Sequence, residues 1–195
     1  MYPFVETIRI EQGVAQNLEC HQQRLAATMA HFFQGAPIPV LAEKLQEQEW
    51  PVDKTWKVHL EYDCNGILLM QSEEYHVRSI RSLKLISCDD IDYEYKSADR
   101  RKLATLAAMK GEADEVAIVR NGLLTDTSYS NIALFDGQHW VTPRLPLLKG
   151  TMRQSLLDKA QITERDIRAE EWEEFQAVSL INAMMPLGRC VCRLR

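Results

Sequence analysis

No stretch of this 195-residue chain approaches the 18 or more consecutive apolar residues of a membrane-crossing helix. The opening "MYPFVETIRI" has neither the basic flank nor the apolar segment of a secretory signal. The expectation is a soluble, cytoplasmic protein with no membrane partner. Cysteines are few and scattered: Cys20, Cys64, Cys88, Cys190 and Cys192 make an odd five, with no pair at CxxC spacing. That argues against a disulfide framework or a zinc site and suits a compartment that keeps thiols reduced. A basic surplus is missing as well. With 23 Lys and Arg against 28 Asp and Glu, the formal charge of -5 offers no general grip on a phosphate backbone, so nucleic acid is not an expected partner. Repeats and low-complexity tracts are also lacking. What remains is a chain with 46% hydrophobic residues, ample for a core in one domain or two small lobes.

The pattern along the chain is mixed. "FVETIRI" alternates apolar and polar residues as a half-buried strand does, and "EQGV" turns it. "NLECHQQRLAATMAHFF" spaces Leu18, Leu25, Met29 and Phe32 or Phe33 for an amphipathic helix, with Asn17 as its N-cap and Gly35 beyond its end. "VLAEKLQEQEW" predicts a second helix between Pro39 and Pro51. "TWKVHLEYDCNGILLMQSEEYHV" reads as a hairpin with an Asn-Gly turn, and "SLKLISC" as a further strand of the same first lobe. After Asp89 come the helix "KLATLAAMKGEA" and the hairpins "EVAIVRNGLLTDT" and "NIALFDGQHWVTP". The helix "GTMRQSLLDKA", a short helical piece at "EEWEEF" and final strands in "AVSLINAMMPLGRCVCRL" complete the chain.

Four groups stand out for chemistry. Lys96, in "DYEYKSADRRKL", has Tyr93 and Tyr95 to pack beside it, and the cationic Arg100 and Arg101 favour a neutral, nucleophilic amine. Taken alone it is an ordinary surface lysine. Arg24 follows His21 by three residues on one helix face, and a buried arginine offers a phosphate monoester a fixed cation with a forked donor set. Gly150 and Thr151 open a helix, where exposed N-H groups and close backbone approach make a phosphate cradle. Asp126 is placed to face a pyridine nitrogen, or else only to organise a turn. Lysine, arginine, cradle and acid together are the parts that hold pyridoxal 5'-phosphate.

In this order the motifs resemble the class IV aminotransferase family, the fold type IV pyridoxal-phosphate enzymes. These include branched-chain aminotransferases, D-amino acid aminotransferases and 4-amino-4-deoxychorismate lyases. "FVETIRI" resembles the family's FETxR strand, "HQQRL" its HxxRL helix, and "KSADR" the Lys-x-x-Asn-Arg segment of the lyases. "TDTSYSN" stands where the family has Thr/Ser-Glu followed by Asn five residues on, and "WVTPRLPLLKGTMRQ" is similar to its TPxLxxGxLPGITR block. The likeness implies an α+β, two-lobed, D-amino acid aminotransferase-like fold, shortened at both ends. A small α+β lobe, 1–90, would carry the phosphate arginine. A larger β-rich lobe, 91–195, would carry the Schiff-base lysine and the phosphate cradle.

By the same resemblance Lys96 is the Schiff-base lysine and Arg24 the phosphate arginine. Asp126 is the partner of the ring nitrogen, Asn131 closes that motif, and Gly150, Thr151 and Met152 bind phosphate through the backbone. Asp126 is one methylene shorter than the family's Glu, which implies a longer or water-mediated contact. Lys149 replaces the usual Pro. The resemblance also implies a homodimer.

"INAMMPL" is more similar to the lyases' CNALMPV than to the aminotransferase segments at that position, and Leu180 stands where many aminotransferases have a phosphate-binding threonine. The implied reaction is conversion of 4-amino-4-deoxychorismate to 4-aminobenzoate and pyruvate. Its substrate is a dianion, for which Arg9, Arg78 and Asn182 are candidate partners. The alternatives are a branched-chain or D-amino acid aminotransferase, and a degenerate relative that binds the cofactor without catalysis.

Overall fold

The computed structural model describes residues 3–193, and the chain divides into two compact units. One is built from the residues up to His76 together with Tyr95–Asp99, the other from Val77–Glu94 and the chain from Arg100 onward.

The first unit opens with β1 (Phe4–Glu11) and the short β2 (Val14–Ala15), then α1 (Leu18–Phe32), α2 (Leu41–Leu45), β3 (Thr55–Asp63) and β4 (Gly66–Glu74). Its antiparallel sheet has the order β2-β1-β3-β4. The period-2 alternation of β1 sends Phe4, Ile8 and Ile10 into a core with Leu25 and Met29 of α1, Leu41 and Leu45 of α2, and Val58, Leu60 and Tyr62 of β3. Each fully buried Ile or Leu there contributes roughly 1.5–3 kcal/mol. α1 begins at Asn17, which takes a left-handed conformation (φ 52°) and caps without its side chain, a conformation Asn tolerates better than most residues. The helix expected across 40–50 is one turn long. The Trp50 indole donates to the Leu45 carbonyl at 2.9 Å and ends it there. Asp63 pairs with Gly66, leaving Cys64 and Asn65 as the hairpin loop.

The second unit contains β5 (Leu83–Ser87), α3 (Arg101–Ala108), β6 (Glu115–Arg120), β7 (Leu123–Thr127), β8 (Asn131–Phe135) and β9 (Trp140–Pro143). α4 (Thr151–Asp158), β10 (Thr163–Arg165), a 3-10 turn at Ala169–Glu174, β11 (Ala177–Ile181) and β12 (Val191–Arg193) follow. Its eight strands form one sheet, in which β5 runs parallel to β6 and β11 pairs antiparallel with β8. Asn121 and Gly122 both have positive φ (52° and 76°), the backbone a two-residue hairpin turn requires.

The division differs from the expected 1–90 and 91–195. "SLKLISC" leaves the first lobe because β5 pairs with β6, and its Ile86 packs with Leu103, Leu106, Val116 and Ile118. The segment 95–99 belongs instead to the first unit, where Ser97 bridges Phe4. Among the described residues no helix is long and apolar enough to cross a membrane.

Candidate active site

Glu6 lies in the phase of Phe4, Ile8 and Ile10, so the strand alternation that builds the core also carries a carboxylate into it, with 0% exposure. α1 supplies the partners. Its buried stripe runs through His21, Leu25, Thr28 and Met29, and Arg24 flanks it. Arg24 donates through Nε to Glu6 Oε1 (2.8 Å) and through Nη2 to Oε2 (2.6 Å), and His21 Nδ1 lies 2.5 Å from the same Oε2. Burial alone would raise the Glu6 carboxyl, but the Arg24 charge and the hydrogen bonds from His21 and Arg24 hold it down to about 2. His21 is shifted downward by its own burial, against the pull of Glu6, and the charges of Arg24 and Lys96 act in the same downward direction. The neutral imidazole therefore donates from Nδ1 to the ionised Glu6. Burial, together with the charge of Glu6, also pushes the Tyr62 phenol up to about 12.

Lys96 is fastened to this strand by its own backbone. The Val5 N-H donates to the Lys96 carbonyl and the Ala98 N-H to that of Pro3, both at 2.8 Å. Tyr95 anchors the segment, stacked on His31 at 4.8 Å and edge-on to Phe32 and Phe4. Of the two tyrosines expected beside Lys96, Tyr95 packs in the first unit with Phe4, His31 and Phe32. Tyr93 packs in the second unit, against the cluster of Ile86, Ile91 and Leu103. Arg100 donates to the Ser128 carbonyl at 2.8 Å.

The second unit gathers Asp126, Asn131 and Gly150. Asp126 and Asn131 are register partners at the junction of β7 and β8. Asn131 Nδ2 donates to Asp126 Oδ1 (2.8 Å) and to the Leu148 carbonyl (2.7 Å), while the Leu148 N-H donates to Asp126 Oδ2 (2.9 Å). These donors are neutral, and burial pushes the Asp126 carboxyl up to about 7 in spite of them. Arg153 exerts a lowering charge, but its guanidinium is bonded to the Pro143 carbonyl and to Glu164. Gly150 is the N-cap of α4. A Cβ there would lie 2.0 Å from Asn131 Oδ1, so only glycine fits. Thr151 and Met152 follow, both buried, in the first turn of α4.

The three candidates for the substrate sit apart in character. Arg9 is on the face of β1 opposite the core and pairs in register with Lys57. Its Nη1 donates to Glu11 at 2.8 Å, and its buried Nε has no hydrogen-bond partner among the described residues. On the adjoining β3-β4 surface Lys57, His59, Gln71, Ser72 and Glu73 line an open cleft of about 420 Å³. Arg78 is exposed in the loop before β5. Asn182 organises a turn: its Oδ1 accepts from the Met184 and Met185 N-H groups at 2.9 and 3.0 Å, and its Nδ2 donates to the Tyr129 carbonyl at 3.4 Å. Leu180 is fully buried in β11.

Glu6 was missed as a site residue in the sequence, although its place in the apolar phase of β1 was a signal. His21, in phase with Leu25 and Met29, carried the same one. In each unit the groups suit pyridoxal 5'-phosphate: the first offers a forked cation and a lysine on the adjacent segment, the second a glycine whose position no Cβ could share and a buried acid bonded by neutral groups.

Residues 69–191 match the model of amino-transferase class IV. An uncharacterized protein of Haemophilus influenzae is 34% identical over 186 residues, which cover 94% of this chain and 98% of that one. A crystal structure from Haemophilus somnus, provisionally named a 4-amino-4-deoxychorismate lyase, superposes with a TM-score of 0.92 at 33% identity over 96% of this chain and 98% of that one. A hypothetical aminotransferase from Mycobacterium tuberculosis in its pyridoxal-phosphate-bound form shares the fold, with a TM-score of 0.72 and 19% identity over 98% of this chain and 80% of its own. The order of the motifs, the fold and the matched residues agree, and the chain belongs to the class IV aminotransferase family.

Proposed function

We propose that this chain is a pyridoxal 5'-phosphate-dependent lyase that converts 4-amino-4-deoxychorismate to 4-aminobenzoate and pyruvate. For the cofactor, the observation that carries the reading is the placement of Lys96 on the residue beside Glu6, with Arg24 held by that carboxylate. For the lyase, support comes from "KSADR" and "INAMMPL" and from the 33% identity to the Haemophilus somnus protein.

When bound, pyridoxal 5'-phosphate supplies a carbonyl that condenses with amines and a protonated ring that accepts an electron pair. Lys96 Nζ is the covalent anchor for that carbonyl. Arg24, as a cation, and the backbone of Gly150, Thr151 and Met152, as a helix N-terminus, would be the groups that hold the phosphate. Asp126 would be the partner that keeps the ring nitrogen protonated, and Asn131, which donates to its Oδ1, orients it. With its amine free, Lys96 would take the proton on the amine-bearing ring carbon as general base. The enolpyruvyl group would then leave the neighbouring ring carbon as enolpyruvate, which takes up a proton to become pyruvate, and the ring would be left aromatic. Arg9, Arg78 and Asn182 serve the two substrate carboxylates. The working form in this reading is a cytoplasmic homodimer whose other partner is the small dianionic substrate.

The test is purified protein with pyridoxal phosphate and 4-amino-4-deoxychorismate, following 4-aminobenzoate and pyruvate with no keto acid added. Both products are expected in equal amounts, and Lys96→Ala is expected to lower the rate by at least about 10³-fold. Turnover that depends on 2-oxoglutarate would instead identify an aminotransferase.

A further inference from the structure

Glu6 has no role in the reaction just described, yet it is the most completely buried charge among the site residues. Taking an ion out of water costs several kcal/mol, and a buried ion pair often contributes no more than well-packed apolar side chains of similar volume. Its neighbours in the phase, Phe4 and Ile8, are apolar side chains of the same core. A structural account therefore leaves the choice of a carboxylate unexplained.

The geometry supplies a reason. Arg24 meets Glu6 through Nε and Nη2, the side-on edge of the guanidinium, in a two-point fork that sets the plane of the group. His21 clasps Glu6 Oε2 from the same helix, one turn away from Arg24. Both carboxylate oxygens are thus fixed, and the plane of the Arg24 fork with them. Lys96 lies on the segment bonded to Val5, one residue from Glu6.

Resting on the reading of Arg24 as the phosphate arginine, we infer that Glu6 is a positioning residue. It sets the orientation in which Arg24 meets the cofactor's phosphate, and His21 holds Glu6 for that purpose. The role concerns the phosphate group alone, so it separates two aldehydes that differ only there.

The experiment compares the affinities of the apoprotein for pyridoxal 5'-phosphate and for pyridoxal, by absorbance and tryptophan fluorescence, in the wild type and in Glu6→Gln. The wild type should prefer the phosphorylated aldehyde, and Glu6→Gln should reduce that preference roughly tenfold, with little change for pyridoxal. A general loosening of the fold weakens both alike and leaves the ratio where it was. If Glu6→Gln does not fold, Glu6→Asp keeps the charge and withdraws the carboxylate by one methylene, and the same fall in the ratio is expected. A ratio equal to the wild type's in a folded variant overturns the positioning role. A wild type with no preference between the two aldehydes overturns the cofactor reading itself.

Discussion

Glu6 and Asp126 are both buried carboxylates, one in each unit, and their titration moves in opposite directions: Glu6 is held down to about 2 and Asp126 is pushed up to about 7. Desolvation is the largest influence on both and raises both. What separates them is the partner. Glu6 faces a guanidinium through two hydrogen bonds, so the charged form is repaid, whereas Asp126 faces an amide side chain and backbone N-H groups, so it is repaid only in part. The first arrangement completes its own charge balance. The second leaves an acid that a cationic ring nitrogen would complete.

The two carboxylates also make stability depend on pH in opposite ways. The folded Glu6 carboxyl is depressed, so its contribution is complete above the usual value of 4.5 and is lost as pH falls toward about 2. The folded Asp126 carboxyl is raised. Between the ordinary 3.8 and about 7 the folded apoprotein holds a proton that the unfolded chain releases, and stability declines as pH rises through that window.

The contrast is broken most forcefully at Arg24. Arg24→Ala strands a buried carboxylate, and urea denaturation at pH 7 should show a loss of about 3–5 kcal/mol; a loss below about 1 kcal/mol would mean Glu6 is repaid by His21 alone. Next in size is Asp126→Asn. The wild-type apoprotein should lose on the order of 2–4 kcal/mol from pH 4 to pH 8 on account of Asp126, and the variant should lose that slope. An unchanged slope would assign it to other groups. Gly150→Ala sharpens the Asp126 side, because the new Cβ displaces Asn131 from its bond to the carboxylate. A cost of about 1–3 kcal/mol is expected, with a further rise of the Asp126 carboxyl visible by carboxyl NMR. Arg78→Ala provides the baseline, since truncating an exposed arginine should change stability by no more than about 0.5 kcal/mol. A several-fold rise in KM at unchanged stability would give Arg78 its expected place at the substrate.

Much of this was legible in the residues. The alternation in "FVETIRI", the apolar spacing of α1 and the Asn-Gly pair at 121–122 are local signals, and the elements formed where those signals lie. The candidate site was legible as an order of motifs. Glu6 was less visible, because a polar residue in an apolar phase reads as noise until its partner on another element is known. The extent of the second helix was misjudged because the Trp50 indole that ends it bonds back across five residues. The assignment of β5 failed for a related reason: a strand's pattern tells which face is buried but not which strand it will pair with.

By itself, then, the sequence determined the elements, their turns and the kinds of group available for chemistry, since these follow from periodicities of two and 3.6 residues and from backbone preferences of single residues. Only the tertiary structure decided that residues 95–99 fasten to β1 beside Glu6, and that one buried acid would meet an arginine and the other an asparagine. The reason is physical. Charge on a buried group is settled by what lies within a few ångströms of it, and those neighbours come from positions far apart in the chain.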